Sequence, residues 1–113
     1  IILFLPHKER TNDKYRPTTK LDHLVSDYTK NVDYADATHL LEWKENVVLR
    51  GLMPDHYKHL TDDELLKTSS IHHHNWTEKE LVELLTYLGL KVTFVDREVY
   101  DRRDSFVVIA EKI

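Results

Sequence analysis

The sequence predicts an α/β domain on a small mixed three-stranded sheet, and three segments carry that prediction. Ile1-Ile2-Leu3-Phe4-Leu5 is an unbroken apolar run closed by Pro6, the pattern of a strand buried on both faces. Thr77-Glu78-Lys79-Glu80 is a capping box, in which the threonine hydroxyl and the glutamate satisfy each other's backbone amides at a helix start. Lys91 to Tyr100 and Ser105 to Lys112 are rich in β-formers and flank the turn Asp101-Arg102-Arg103-Asp104, which predicts an antiparallel hairpin.

The remaining elements follow in chain order. His7 to Pro17 is polar and aperiodic, a long loop of the kind that often borders sites in α/β domains. Thr18 and Thr19 offer N-caps for a helix running to about Thr29, with Leu21, Leu24, Val25 and Tyr28 on one apolar face. A second helix is expected from about Asp36 to Arg50, with Leu40, Trp43 and Val47 beside Leu41 and Val48 and with Gly51 as its stop. Thr61-x-x-Glu64 opens a third, short helix, and Ser69 to Asn75 reads as extended chain or loop. After the second capping box, Leu81, Leu84, Leu85 and Leu88 form an apolar stripe that Gly89 terminates. In the hairpin, Val92, Phe94 and Asp96 alternate with Thr93, Val95 and Arg97, and Phe106 to Ala110 is apolar enough for a central strand.

Composition narrows the function classes. One small domain fits in 113 residues, and 41% hydrophobic with 32% charged residues is an ordinary globular balance. A net charge of -4 disfavours nucleic acid as a partner, since phosphate binding wants a basic face. The absence of cysteine excludes disulfides, thiolate metal sites and a cysteine nucleophile, and fits a cytoplasmic protein. The longest apolar runs are about five residues, against the ~20 that a membrane-spanning helix needs, so no membrane partner is expected. Ile1 to Leu5 has no basic region before it and is too short for a signal peptide. An apolar strand starting at residue 1 suggests a chain cut from something longer. Only Gly51 and Gly89 are glycines and no Gly-x-Gly occurs, so the Gly-rich turn that lets a backbone approach a nucleotide-like cofactor is missing.

Three stretches carry a family resemblance. Pro6-His7-Lys8 leads to Asp13-Lys14-x-Arg16-Pro17-Thr18-Thr19-x-Leu21-x-His23-Leu24. His72-x-His74-x-Trp76-Thr77 leads to Leu81-x-x-Leu84-Leu85-x-x-Leu88-Gly89. The third is the closing Asp104-Ser105-Phe106-Val107-Val108-Ile109-Ala110. Together they resemble the C-terminal part of class I S-adenosylmethionine (SAM)-dependent methyltransferases of the methyltransferase-domain type, some of which are associated with glycan biosynthesis. The resemblance implies a Rossmann-like fold in which Ile1 to Leu5 is the fifth strand and the hairpin supplies the sixth and seventh, the seventh lying antiparallel beside the fifth. Residues 1–113 would form a single partial domain with a helical insertion at about 18–70. It would supply the acceptor side of the active site and lack the SAM-binding half, so the isolated chain is expected to be inactive and to bind no cofactor. The acceptor implied is a small molecule, a sugar among the candidates.

Residues suited to acceptor contact are His7 and Lys8 at the end of the first strand, Asp13 in the loop, and His72, His74 and Trp76 before the capped helix. Asp13 and Arg16 are also suited to a loop-shaping ion pair, and Trp76 to a packing contact at the helix start. No catalytic residue is assignable from spacing. His72 and His74 would share a face of a strand, and His56 and His59 a face of a helix, but neither pair brings a third ligand, so no metal site is expected. An open, apolar edge on the first strand predicts a homodimer. The competing reading is a non-enzymatic dimerising or binding module.

Overall fold

The computed structural model describes residues 1–32, 39–99 and 101–113. Strand β1 (Ile2–Pro6) is followed by two 3-10 turns, Lys8–Arg10 and Asn12–Tyr15. Then come α1 (Leu21–Thr29), α2 (Leu40–Trp43) running into a π turn at Lys44–Val48, a 3-10 turn at Asp55–His59, and α3 (Asp62–Lys67). Helix α4 (Glu78–Tyr87) leads into strands β2 (Leu90–Asp96) and β3 (Ser105–Lys112). The expected start of the second helix at Asp36 and the expected end of the first hairpin strand at Tyr100 lie outside the described residues.

The sheet has the order β1-β3-β2, first, last, middle in sequence, with the most apolar strand in the centre as expected. It is antiparallel throughout rather than mixed: β3 runs against both neighbours, with Leu3 opposite Val108 and Val95 opposite the same residue. A bulge between Val92 and Phe94 breaks the expected alternation in β2. Val92 stays opposite Ala110 on the core face, while Phe94 is displaced onto the face of Ile109, because one extra residue inverts every side chain beyond it.

Helix α4 covers one face of the sheet. Leu81 and Leu85 meet Phe106, Val108 and Ala110, all buried, with Leu3, Leu5, Trp76, Leu84, Leu90 and Val92 around them. The capping box forms as expected, and Gly89 takes φ +80° at the helix stop, a conformation that β-carbon-bearing residues resist. Trp76 thus joins the core where the helix begins. The other face of the sheet is open: Ile2, Phe4 and Phe94 are about half exposed or more. Strand β1 is therefore covered on one side only, a correction to the strand buried on both faces, because among the described residues no helix crosses that second face.

A second core lies among the helical segments between residues 40 and 71. Leu40, Trp43, Val47 and Val48 pack on Leu65 and Ile71, and Gly51, also at φ +80°, ends the π turn. Thr61 caps α3 by accepting the Glu64 amide, as expected. The predicted apolar face of helix α1 holds in part: Leu21, Leu24 and Val25 are half-buried, but Tyr28 is 88% exposed and the fully buried residue is Asp27, so a polar edge of the helix also turns inward. Neither Thr18 nor Thr19 caps it. Lys20 holds the N-cap position, and Thr19 is instead buried, exchanging two hydrogen bonds with the backbone of Asn75.

Candidate functional site

The inward face of α1 leads to the centre of the site. His23 and Asp27 are one turn apart, the spacing that brings helical side chains together. His39 stands immediately before α2, and His74 lies in the loop before α4. All three imidazoles aim Nε2 at one oxygen, Asp27 Oδ2, at 3.0 Å for His23, 3.0 Å for His39 and 2.7 Å for His74. His23 Nε2 and His39 Nε2 are themselves 3.2 Å apart. The rings fan around the carboxylate at interplanar angles of 66°, 75° and 78°. Asp27 and His39 are buried, whereas the side chain of His23 is 40% exposed. Burial pushes the Asp27 carboxyl up, but hydrogen bonds from His74 and His39 and the charges of His23 and His39 outweigh it, and its pKa lies below the ordinary value. These four donors, within 4.8 Å of one another, are the group among the described residues able to hold a metal ion.

A second cluster adjoins the first. Arg16, buried, donates from Nη1 to Asp13 Oδ1 at 2.8 Å and from Nε to Glu42 Oε2 at 2.9 Å. Its guanidinium also donates to the carbonyls of His72 and His73, fastening the loop before α4 to the loop after β1. The expected Asp13–Arg16 ion pair is therefore present. Asp13 Oδ2 accepts from His72 Nδ1 at 2.6 Å. Burial raises the Asp13 carboxyl, but the hydrogen bonds from His72 and Arg16 and their charges hold it below its usual value. The same hydrogen bond raises His72 above 6.5, with burial opposing. His72 and His74 do not act as a pair on one face: the loop is not a strand, and each ring goes to a different carboxylate.

His7 is fully buried at the end of β1. Its Nδ1 accepts the Glu9 amide at 3.2 Å, so Nε2 carries the proton and donates to Glu78 Oε2 at 2.6 Å. It stands edge-on to Phe106 and lines none of the clefts described here. Lys8 donates from Nζ to the Lys14 carbonyl. Three clefts border the clusters, one of them, of about 330 Å³, with Asp13, His72, Arg10 and Trp43 in its walls. One of about 510 Å³ has His23, His39, Thr19, Glu42 and Asn75 in its walls, and one of about 280 Å³ has Asp13, His72, His74 and Trp76. Of the residues singled out from the sequence, Asp13, His72, His74 and Trp76 thus border one cleft, and His7 and Lys8 stand apart from it. His56 and His59 sit on the exposed 3-10 turn away from both clusters.

Sequence reasoning missed Asp27 and His39, and noted His23 only within a motif. The i, i+4 spacing of His23 and Asp27 was a usable signal. The contributions of His39 and His74 come from separate segments and have no local signature. Comparison with protein-family models, with curated proteins and with solved structures found no match.

Proposed function

We propose that this chain is the C-terminal, acceptor-side part of a class I SAM-dependent methyltransferase. The observation that carries the reading is the strand order, with β3 antiparallel between β1 and β2, the arrangement that the motif resemblance implies for the last three strands. The site lends support. The loop leaving the C-terminal end of β1 carries Asp13 and Arg16 to the clefts, and ligands of open α/β sheets gather beyond the C-terminal strand ends.

In the complete protein SAM would supply the methyl group, and the acceptor would give up a proton as it takes that group. The protein's task is to place the acceptor and, where needed, take that proton. In this reading His72 is the base. Asp13 engages Nδ1 and stabilises the imidazolium, while Nε2 serves the acceptor. The smallest cleft, which His72 lines, suits a hydroxyl-bearing acceptor such as a sugar, because Asp13, His74 and the buried Asn75 contribute hydrogen-bonding groups to its walls. No residue of the chain forms the Gly-rich turn for SAM, so the cofactor belongs to the complete protein.

The test starts with the parent reading frame. A β-strand followed by a Gly-rich turn upstream of Ile1, and transfer of labelled methyl from SAM by the whole product, are the expected results. Absence of both would overturn the reading. In the active product, His72→Ala should lower kcat by ~10²–10⁴.

A dimerising module is the second reading, favoured by the open sheet face of Ile2, Phe4 and Phe94 and by β1 at the sheet edge. It predicts a homodimer in light scattering, and a clean monomer on dilution would contradict it.

A further inference from the structure

The geometry points to a zinc site in which His23, His39 and His74 ligate through Nε2 and Asp27 through Oδ2. With Zn–N and Zn–O distances of about 2.0–2.1 Å, a tetrahedral ion needs its ligand atoms roughly 3.3 Å apart. The contacts to Asp27 measure 3.0, 3.0 and 2.7 Å, and the His23–His39 contact measures 3.2 Å. These four separations need shifts of only a few tenths of an ångström, and the remaining two, from His74 to His23 and His39, lie within 4.8 Å, so the His74 ring closes the tetrahedron by swinging inward by up to about 1.5 Å.

Hydrogen bonds alone satisfy this arrangement poorly. If His23 and His39 both carry a proton on Nε2, two N–H groups crowd each other 3.2 Å apart. If one of them lacks it, its lone pair faces the carboxylate oxygen at 3.0 Å. A central cation turns every one of these contacts favourable, because lone pairs are then what each atom should present. Three imidazoles and one carboxylate, without a thiolate, form a donor set suited to zinc.

Four protein donors fill a tetrahedron, so the ion acts as a clasp. It joins α1, the chain entering α2 and the loop before α4, three segments that share neither hydrophobic core fully. The cleft beside His23 and His39 gives it access. The site stands whether or not the chain belongs to a methyltransferase.

The test is metal analysis of the 113-residue protein purified without an affinity tag, followed by Zn²⁺ titration of chelator-stripped protein against a chromophoric chelator. About one zinc per chain is expected. His39→Ala and Asp27→Asn should weaken Zn²⁺ binding by ~100-fold or more, beyond the ~10–100-fold typical of groups that only support a ligand. His72→Ala and the double variant His56→Ala/His59→Ala should bind as the parent does. Should the buried substitutions prevent folding, His23→Ala, at the exposed rim, provides the same comparison, and Zn²⁺ should raise the melting temperature of the parent and not of that variant. Failure of the stripped parent to bind Zn²⁺ would overturn the site. Undiminished binding in His23→Ala and His39→Ala would do so as well.

Discussion

Arg16 concentrates more of the site's order than any other single side chain, since it grips two carboxylates and two carbonyls from a buried position. Arg16→Ala would strip the buried Asp13 of its guanidinium partner and leave it only His72, so a loss of about 3 kcal/mol in urea unfolding is expected. Arg16→Lys should recover little of it, because an ammonium cannot reproduce the planar fork. Acid should act through the same chemistry. Asp13, Glu78 and Glu80 all have folded pKa values below their ordinary 3.8, 4.5 and 4.5. The unfolded chain therefore binds more protons in acid. The stability these groups contribute is complete above the ordinary values and is lost as pH falls through the lower folded ones. Urea midpoints measured down to about pH 3 should fall, and a flat profile would contradict these assignments. The ion pair of Asp13 with Arg16 was legible in the sequence because both lie in one short stretch. The Asp27 cluster was not, because burial of a carboxylate on α1 depends on partners from two other segments.

At the scale of elements, α4 and the hairpin were readable because each local signal agrees with its tertiary role. The capping box, the leucine stripe and Gly89 all specify the same helix, and the stripe meets the apolar residues of β3. Gly89→Ala should cost about 1 kcal/mol, purely conformational, since a β-carbon there meets nothing within 4 Å. Phe106→Ala, at the centre of the sheet core, should cost about 3–5 kcal/mol in the same unfolding assay. On helix α1 the apolar periodicity predicts the half-burial of Leu21, Leu24 and Val25 but not the exposure of Tyr28 or the burial of Asp27 beside His23. In the fold, the polar residues have partners and Tyr28 has solvent. The bulge in β2 escaped the sequence for a related reason: Thr93 continues a good β pattern, and only pairing with β3 reveals the extra residue.

On the scale of the whole molecule, one sheet face is covered by α4 and the other presents Ile2, Phe4 and Phe94 to solvent. Such a face is ordinarily covered, by more of the same sheet-and-helix architecture or by a second copy. A Phe4→Asp substitution should abolish self-association of the isolated chain in light scattering if a second copy is the cover, and an unchanged dimer would exclude that face as its interface. Among the described residues no helix is long and apolar enough to cross a membrane. The measurement that bears most directly on the methyltransferase reading is calorimetric titration of SAM into the product of the entire parent reading frame and, in parallel, into these 113 residues. Micromolar binding by the entire product and none by the 113-residue chain is the predicted result. Equal binding by both, or binding by neither, would contradict it.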